Sequence, residues 1–295
     1  MNVGVRPQLM LVDGSSYIFR AFFALPPQTS SSGLPTNAVY GFTNMMLKLL
    51  RQHRPEYMVV ALDAARKTFR NQLFTGYKAK RKQPPAELVP QLPYIRKVLD
   101  VLNIVALEME DYEADDLIAT LCKAMSNQGC EIIIVSADKD LMQLVSNGVK
   151  LRDGSKERWI GVREVKAKFG VRPESLVEVM GLMGDAVDNI PGVRGIGPKT
   201  AIALIQEFHS LENLFDHLDE IGRMNLRGAV HIRKALADGK AAAFLSRHLA
   251  TVKSDVPCRI RLEALRCRAP DREKMRALFT ELTFTNLIKI LDNKP

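Results

Sequence analysis

The sequence predicts an α/β fold in which a mostly parallel central sheet is flanked by helices. Three short apolar segments, Leu9–Val12, Tyr57–Leu62 and Glu131–Ser136, have the length and the β-branched or bulky residues of buried strands. Helical patterns separate these segments along the chain, and such alternation is typical of a parallel sheet. The length of 295 residues is enough for one large domain or two modest ones.

Composition narrows the class of protein. Hydrophobic residues make up 46% and charged residues 25% of the chain, as in ordinary globular proteins. The apolar run Leu9–Val12 ends at Asp13 and is too short for a membrane span or a secretory signal, so we expect a cytoplasmic protein without a membrane partner. The four cysteines form no C-x-x-C pair, which predicts neither a zinc site nor a disulfide framework.

Positive charge is in excess, with 42 lysines and arginines against 33 acidic residues. A net charge of +9 favours a polyanionic partner, although many basic proteins have none. The residues 66–95 are the most basic part: R-K-T-F-R-N-Q-L-F-T-G-Y-K-A-K-R-K is followed by Pro84, Pro85, Pro90 and Pro93. This pattern predicts a basic helical excursion followed by a proline-interrupted loop. A solvated charged helix is the simpler alternative, but the interleaved aromatic residues could stack on bases.

The C-terminal part of the chain predicts helices with few strands. We place the domain transition near Pro173, which divides the chain into an α/β core of residues 1–172 and a helical region of residues 173–295. The segment Lys274–Leu291 predicts one final amphipathic helix. A hairpin is predicted at Asp153-Gly154, with Trp159 packed beside it.

Acidic residues follow each predicted strand: Asp13, Asp63 and Asp138, with Asp140 two residues further on. A single aspartate at such a position could cap a turn or a helix. Three of them at one edge of a sheet would form a site, because ligands of parallel sheets gather beyond the carboxyl ends of the strands. The sequence alone leaves open whether the three strands are neighbours.

Further acidic residues lie in two segments. Glu113, Asp115 and Asp116 open a predicted helix, where the helix dipole alone favours some acidic residues, and Asp185 and Asp188 lie in a turn segment. If these carboxylates converge, each pair about 4 Å apart repels by roughly 4 kcal/mol at an effective dielectric near 20. Hard divalent cations such as Mg²⁺ or Mn²⁺ offset that repulsion. Two such ions can hydrolyse a phosphodiester.

The order of the motifs resembles one known family. D-G-S-S-Y-I-F-R-A-F-F, Y-K-A-K-R, Y-E-A-D-D, S-A-D-K-D-L-M-Q-L-V and L-M-G-D-A-V-D-N-I-P-G-V-R-G-I-G-P-K-T follow each other along nearly the whole chain. This order is similar to that of the bacterial 5′-3′ exonuclease and flap endonuclease family, which includes the 5′ nuclease domain of DNA polymerase I. The resemblance implies a PIN-like core with a helical arch, a structure-specific DNA nuclease in primer removal or repair, and a monomer acting on 5′ flap, nicked, branched or RNA-primed duplexes.

The resemblance also implies two metal clusters. The first would be formed by Asp13, Asp63, Glu113, Asp115 and Asp138, and the second by Asp116, Asp140, Asp185 and Asp188, partly through water. It places Lys78 and Arg81 beside the scissile phosphate, where they would act in catalysis. The remaining DNA contacts in this part of the chain would be made by Arg20, Arg70, Tyr77 and Lys80.

The segment 192–200, G-V-R-G-I-G-P-K-T, predicts a helix–hairpin–helix turn. A P-loop is disfavoured because Pro198 stands where that motif requires lysine. Glycines allow a tight turn with exposed N–H groups, and a helix starting near Pro198 would add its N-terminal dipole for a DNA phosphate. The resemblance also suggests K⁺ within the turn. The predicted DNA contacts are Gly192, Arg194, Gly195, Gly197, Lys199 and Thr200.

Three alternatives remain beside a metal-dependent nuclease that cuts DNA. A non-catalytic DNA-binding module on the same fold would not need the complete set of carboxylates. A P-loop nucleotidase is disfavoured by Pro198. A PIN-like ribonuclease would share the acidic site, but the helix–hairpin–helix turn and the chain length favour an enzyme that binds duplex DNA.

Overall fold

The computed structural model describes residues 6–65, 67–154, 157–224 and 226–292. The chain divides into two compact units, of which the first contains Met1–Ala64, Gln83–Ala137 and Ser254–Pro295, and the second contains Ala65–Lys82 and Asp138–Lys253. Within the part of the chain that is described, no helix is both long and apolar enough to cross a membrane. In chain order the helices are α1 (Gly14–Ala24), α2 (Asn37–His53), α3 (Phe69–Leu73), α4 (Leu92–Val101), α5 (Ala114–Ser126), α6 (Val162–Phe169), α7 (Leu176–Met183), α8 (Pro198–Phe208), α9 (Leu211–Asp216), α10 (Ala229–Ala250), α11 (Arg272–Glu281) and α12 (Thr285–Asp292).

A parallel sheet forms the centre of the first unit. Its strands are β1 (Gln8–Asp13), β2 (Tyr57–Ala61), β3 (Val105–Leu107) and β4 (Glu131–Val135), arranged in the order β3-β2-β1-β4. The three predicted strands are therefore confirmed, and they are direct neighbours. Strand β3 was not among the predicted strands, because it is only three residues long and partly exposed, and its short apolar run of residues 104–107 is a weak signal.

Helices pack their apolar residues against this sheet. Phe42 of α2, Leu99 of α4 and Phe279 of α11 belong to one buried cluster with Met10 and Val60 of the strands. Burying such side chains contributes roughly 1.5–3 kcal/mol each, which makes this cluster the main source of the first unit's stability.

Gly14 lets α1 begin directly after β1. A Cβ atom at this position would lie 2.5 Å from Val60 Cγ1 and 3.0 Å from the backbone oxygen of Ala61, so no larger residue fits without a shift. The close approach holds Asp13, the last residue of β1, against the neighbouring strand.

The C-terminal segment differs from the prediction. The single helix predicted for Lys274–Leu291 is wrong, because α11 ends at Glu281 and α12 begins at Thr285. Thr283 between them has a left-handed φ of 60°, and Phe284 N donates to Phe279 O at 2.8 Å. The break brings both phenylalanines into the core of the first unit. The compact units consequently differ from the linear division at Pro173, because residues 254–292 pack with the N-terminal part of the chain.

The second unit combines a hairpin with helices α3 and α6–α10. Strands β5 (Val149–Asp153) and β6 (Arg158–Ile160) are antiparallel, and Arg152 stands opposite Trp159. The guanidinium carbon of Arg152 lies 5.6 Å from the centre of the indole, so Trp159 packs on the hairpin as expected. Met180 of α7, Leu249 of α10, Ile190 and Tyr77 form a buried cluster.

The basic segment, residues 66–95, contains less helix than the sequence predicts. Helix α3 covers five residues, residues 75–80 form turns, and a 3-10 helix over Val89–Gln91 leads into α4. Arg66, where the predicted arch begins, lies outside the described residues. The prolines account for the interruption, since proline removes a helical hydrogen bond and restricts the residue before it.

Candidate functional site

Asp13 lies at the carboxyl end of β1 and is almost completely buried. Its Oδ1 accepts a hydrogen bond from the backbone N–H of Ser16 at 3.0 Å, which caps α1. Its Oδ2 accepts from the hydroxyl of Ser136, the residue after β4, at 2.6 Å. The carboxylate thus stands between two adjacent strands of the first unit, at the edge where the sequence predicts a site.

Asp63 connects β2 with the start of α5. It lies two residues beyond the strand, and its Oδ1 accepts from Ala114 N, the first residue of α5, at 2.8 Å. In the first turn of the same helix, Asp116 Oδ2 accepts from Glu113 N at 3.0 Å, and Asp116 is 0% exposed. The partial positive charge at a helix N-terminus stabilises carboxylates there. The structure therefore gathers Asp13, Asp63, Glu113 and Asp116, with Asp115 half-buried beside them, at this edge of the first unit.

A tight loop in the second unit holds Asp185 and Asp188. Asp185 and Ile190 exchange two backbone hydrogen bonds of 2.9 and 2.8 Å, and Asp185 Oδ1 accepts from the N–H groups of Val187 (2.7 Å) and Asp188 (3.2 Å). Gly184 has a φ of 68°, and a Cβ on it would lie 2.4 Å from Ile190 O. Only glycine allows this approach, which closes the loop and aligns the carboxylates.

Lys139 contacts Asp185 through an ion pair between Nζ and Oδ2. Burial would raise the pKa of Asp185, but the hydrogen bonds from Lys139 and from the backbone of Asp188 outweigh it and lower that pKa. The sequence analysis overlooked Lys139, although its place between Asp138 and Asp140 was a usable signal.

Asp140 of the second unit lies in surroundings that disfavour its negative charge. Its N–H donates to Asp138 Oδ1 at 2.9 Å, whereas its own Oδ1 is buried and has no hydrogen-bond partner. Burial, followed by the charge of Asp138, raises the pKa of Asp140 to about 7. A buried acceptor without a partner costs free energy, and a cationic ligand at this oxygen would offset that cost.

Lys78 and Arg81 both contact Asp188. Arg81 Nη2 lies 2.6 Å from Oδ1, and Lys78 Nζ lies 3.7 Å from Oδ2. The residues predicted to act on a phosphate are thus brought to one of the predicted metal ligands within the second unit. Lys80 is exposed in the same turn segment, and Arg20 is half-buried on α1 of the first unit.

The donor set fits a divalent cation in its chemistry. All the candidate ligands are carboxylates, the ligands that Mg²⁺ prefers, and Asp140 carries a buried oxygen without a partner. Within the described ranges, no group of three or more His, Cys, Asp or Glu side chains is arranged to hold a metal ion. In the second unit the basic residues Lys139, Lys78 and Arg81 neutralise Asp185 and Asp188 instead.

The prediction that Arg70 and Tyr77 contact DNA is corrected by their burial in the second unit. Arg70 is 1% exposed, and its Nε and Nη2 donate to the backbone oxygens of Leu249 (3.0 Å) and Thr251 (2.9 Å). Tyr77 is 3% exposed and packs with Met180 in the core of the second unit. Both side chains hold the protein together and offer no surface to a strand of DNA.

The glycine turn opens α8 as predicted. Pro198 is the first residue of the helix, Gly195 has a φ of 88°, and Ile196 N donates to Val193 O at 3.0 Å. The turn exposes its polar side because Val193 and Ile196 are buried beneath it. Exposed or half-exposed at the helix N-terminus are Arg194, Gly195, Gly197, Lys199 and Thr200.

The prediction that Gly192 contacts DNA is also corrected by the structure. It is buried, its N–H donates to Ser246 Oγ at 2.9 Å, and a Cβ on it would lie 2.5 Å from Gly184 N. Its φ of 62° and this close contact show that the residue shapes the loop. It does not present its backbone to a ligand.

These features define an α/β protein with an acidic site at the carboxyl edge of its parallel sheet and an exposed glycine turn at a helix N-terminus. Two family models match the chain. The 5′-3′ exonuclease N-terminal resolvase-like domain matches residues 8–170, and the 5′-3′ exonuclease C-terminal SAM fold matches residues 171–273. The chain belongs to the 5′-3′ exonuclease family.

Relatives agree with this assignment. The chain is 38% identical to the 5′-3′ exonuclease of Aquifex aeolicus over 284 residues, which covers 96% of this chain and 95% of that protein. It is 41% identical to DNA polymerase I of Bacillus subtilis over 290 residues, covering 97% of this chain but 32% of the polymerase. The chain thus spans about a third of the length of the polymerase I relatives it matches.

Solved structures share the fold. The T5 5′-exonuclease with bound zinc ions superposes with a TM-score of 0.67 at 20% identity, covering 96% of this chain and 98% of that one. The catalytic core of Rad2 in complex with a DNA substrate gives a TM-score of 0.64 at 17% identity, covering 97% of this chain and 92% of that one. At these identities the likeness extends to the fold alone.

Proposed function

We propose that the chain is a structure-specific 5′-3′ exonuclease and flap endonuclease that hydrolyses DNA phosphodiester bonds with two divalent ions. The observation that carries the proposal is the concentration of carboxylates in both units, above all Asp140, which is buried beside Asp138 with an oxygen that has no partner. Folding alone does not favour this position for Asp140, because a buried carboxylate oxygen without a partner costs free energy. A bound cation supplies the missing partner.

The carboxylates would hold Mg²⁺ or Mn²⁺. When bound, the ions supply a nucleophilic water at neutral pH and stabilise the leaving oxygen. We assign the first ion to Asp13, Asp63, Glu113, Asp115 and Asp138, and the second to Asp116, Asp140, Asp185 and Asp188, partly through water. The contact of Asp140 N with Asp138 Oδ1, and that of Glu113 N with Asp116 Oδ2, keep neighbouring ligands in fixed orientations.

Lys78 and Arg81 would stabilise the charge that develops on the scissile phosphate. Both already stand at Asp188, one of the proposed ligands of the second ion. A cation held by Asp188 would compete with Lys78 and Arg81 for its oxygens, so the two basic side chains would be available to phosphate oxygens.

The helix–hairpin–helix turn would bind the duplex. The exposed N-terminus of α8 offers backbone N–H groups and a positive dipole end, and Lys199 adds charge, so a phosphate is the ligand this surface favours. K⁺ within the turn would support the same contact. Such contacts read backbone shape and not base sequence, as expected for an enzyme acting on flaps, nicks and branches with DNA or RNA-primed 5′ strands. We propose that the chain acts as a monomer in primer removal or repair.

The proposal draws support from proteins of the same fold. The bacteriophage T5 flap endonuclease has been crystallised in a pseudo-enzyme–product complex with DNA and metal ions, and its TM-score to this chain is 0.66. The A. aeolicus relative is named for 5′-3′ exonuclease activity.

Cleavage of a 5′-labelled flap duplex tests the proposal. We expect short 5′ products with Mg²⁺ or Mn²⁺, none with EDTA, and loss of cleavage in Asp116→Asn, because the buried carboxylate loses its charge while an oxygen acceptor for Glu113 N remains. Asp238→Asn, at an exposed position of α10, is the matched control and should cleave normally. Structure-selective binding without cleavage under any metal would make the chain a DNA-binding module and overturn the proposal.

A further inference from the structure

Two loops of the second unit meet at the residues proposed for catalysis. The basic loop (76–81) carries Lys78 and Arg81, and the acidic loop (184–192) carries Asp185 and Asp188. No regular helix or strand holds the basic loop, which consists of turns, and Lys78 has a left-handed φ of 52°. A residue other than glycine adopts that backbone only where its surroundings impose it, so the position of Lys78 depends on the contacts of the loop.

The acidic loop supplies two of those contacts. Asn189 Nδ2 donates to Gly76 O at 2.7 Å, and Lys78 N donates to Asp188 O at 2.9 Å. The two hydrogen bonds lie on either side of Tyr77, whose ring packs with Ile190 in the buried cluster. A third hydrogen bond to the basic loop comes from Asn71, whose Nδ2 donates to Tyr77 O at 2.9 Å. Three consecutive residues of the basic loop are thus held through their backbones, and one of the two side chains that hold them comes from the acidic loop.

The backbone conformation of Asn189 suits a side chain that holds the basic loop. Its φ of 55° is left-handed, a conformation that asparagine tolerates better than most residues, and it directs the side chain at the basic loop. The loops approach so closely that a Cβ on Gly76 would lie 3.1 Å from Asn189 Nδ2. The Nδ2 group of Asn189 is used by the carbonyl of Gly76, so this side chain holds the basic loop in place.

We infer that Asn189 is a positioning residue that sets where Lys78 and Arg81 stand relative to Asp188. The inference rests on the proposed nuclease function. The hydrogen bond to Gly76 links the segment that bears the basic side chains to the loop that bears the metal ligands. Without this bond, the basic loop keeps its anchor at Asn71 and the backbone bond from Lys78 N to Asp188 O, but it loses one of the two hydrogen bonds that hold it in register with the acidic loop.

Asn189→Gly isolates the hydrogen bond. Glycine accepts the left-handed backbone at no steric cost, so the substitution removes the side-chain contact without forcing the loop to change. Asn103→Gly is the matched control: Asn103 has a φ of 54°, and its Nδ2 donates to a backbone oxygen, that of Ala269, at 2.5 Å in the first unit. Both variants gain the same backbone freedom and lose the same kind of bond.

We expect single-turnover cleavage of a flap duplex to fall about 10-fold or more in Asn189→Gly, because misplacing a catalytic group by 1 Å can cost roughly 10²-fold. The KM for the flap should change less than about twofold, and Asn103→Gly should match the wild type. In a Lys78→Ala, Arg81→Ala background, Asn189→Gly should add no further loss, because residues that act through one another are not additive. The inference would be overturned if Asn189→Gly lowered the cleavage rate by the same factor in that background as in the wild type. It would also be overturned if Asn189→Gly alone left the cleavage rate unchanged.

Hydrogen exchange gives a readout that does not depend on cleavage. The amide of Lys78, which is bonded to Asp188 O, should exchange faster in Asn189→Gly and unchanged in Asn103→Gly. An unchanged exchange rate would refute the role of Asn189 in holding the loop, even if cleavage were reduced. If the wild type fails to cleave, the proposed function falls and the catalytic role of Asn189 falls with it, whereas the exchange result still decides whether Asn189 holds the basic loop.

Discussion

Asp140→Asn should stabilise the metal-free protein. The carboxyl of Asp140 has a buried oxygen without a partner and faces the charge of Asp138, and it borders an apolar pocket lined by Phe169, Leu176 and Val179. An amide of nearly the same shape carries no charge, so it avoids both the desolvation and the repulsion.

The size of the effect follows from the pKa of Asp140, which rises from 3.8 to about 7. At 1.36 kcal/mol per pH unit, that difference corresponds to about 4 kcal/mol at most. Relaxation and water penetration reduce it, and the amide keeps some desolvation cost, so we expect about 1–2 kcal/mol. Because the folded pKa is raised, the stability associated with Asp140 is fully present below pH 3.8 and is lost as the pH rises to about 7. The advantage of Asp140→Asn should therefore grow between pH 4 and 7 and then level off.

Urea unfolding in EDTA between pH 5 and 8 measures this difference, with Asp238→Asn at an exposed site as the control. Saturating Mg²⁺ should then stabilise the wild type more than Asp140→Asn, because the ion binds the native carboxylates. If Asp140→Asn is no more stable than the wild type at pH 8 without metal, the carboxyl of Asp140 does not destabilise the folded protein.

Three further predictions separate catalysis, binding and stability. Lys78→Ala should lower single-turnover cleavage of a flap duplex far more than DNA affinity, and an unchanged rate would refute its catalytic role. Lys199→Ala should weaken duplex binding equally for all sequences and reduce the salt slope by about 1, measured by fluorescence anisotropy at several salt concentrations; a sequence-dependent loss would contradict a phosphate contact. Arg70→Met should lower the free energy of unfolding by about 2 kcal/mol in urea, since the buried carbonyl of Leu249 and the partly buried one of Thr251 lose their donor. A stable variant with weakened DNA binding would contradict the structural role.

The strands and the first carboxylates could be predicted because their signals are local. A buried strand needs a continuous apolar run, and the runs at residues 9–12, 57–62 and 131–136 show it directly. Asp13 and Asp63 come directly after the first two runs, so parallel pairing of β1 and β2 brings them to one edge. The pairing itself was open in the sequence, and the structure decided it.

The basic segment shows where pattern reasoning fails. Arg70 and Tyr77 belong to the same run of basic and aromatic residues as Lys78 and Arg81, yet the first two are buried and the last two stand at Asp188. The difference comes from partners far along the chain. The carbonyls of Leu249 and Thr251 accept from Arg70, and no local pattern announces them.

By itself, the sequence determined the α/β class, the family, the strand-terminal carboxylates and the glycine turn before α8, because each depends on residues that are close in the chain. Only the tertiary structure decided the contacts of Lys139, Gly192 and Asn189, and the return of α11 and α12 to the first unit. These depend on contacts between segments tens to hundreds of residues apart. Hydrogen bonds and ion pairs act over a few ångströms, so which of them form depends on how the chain folds and not on spacing in the sequence.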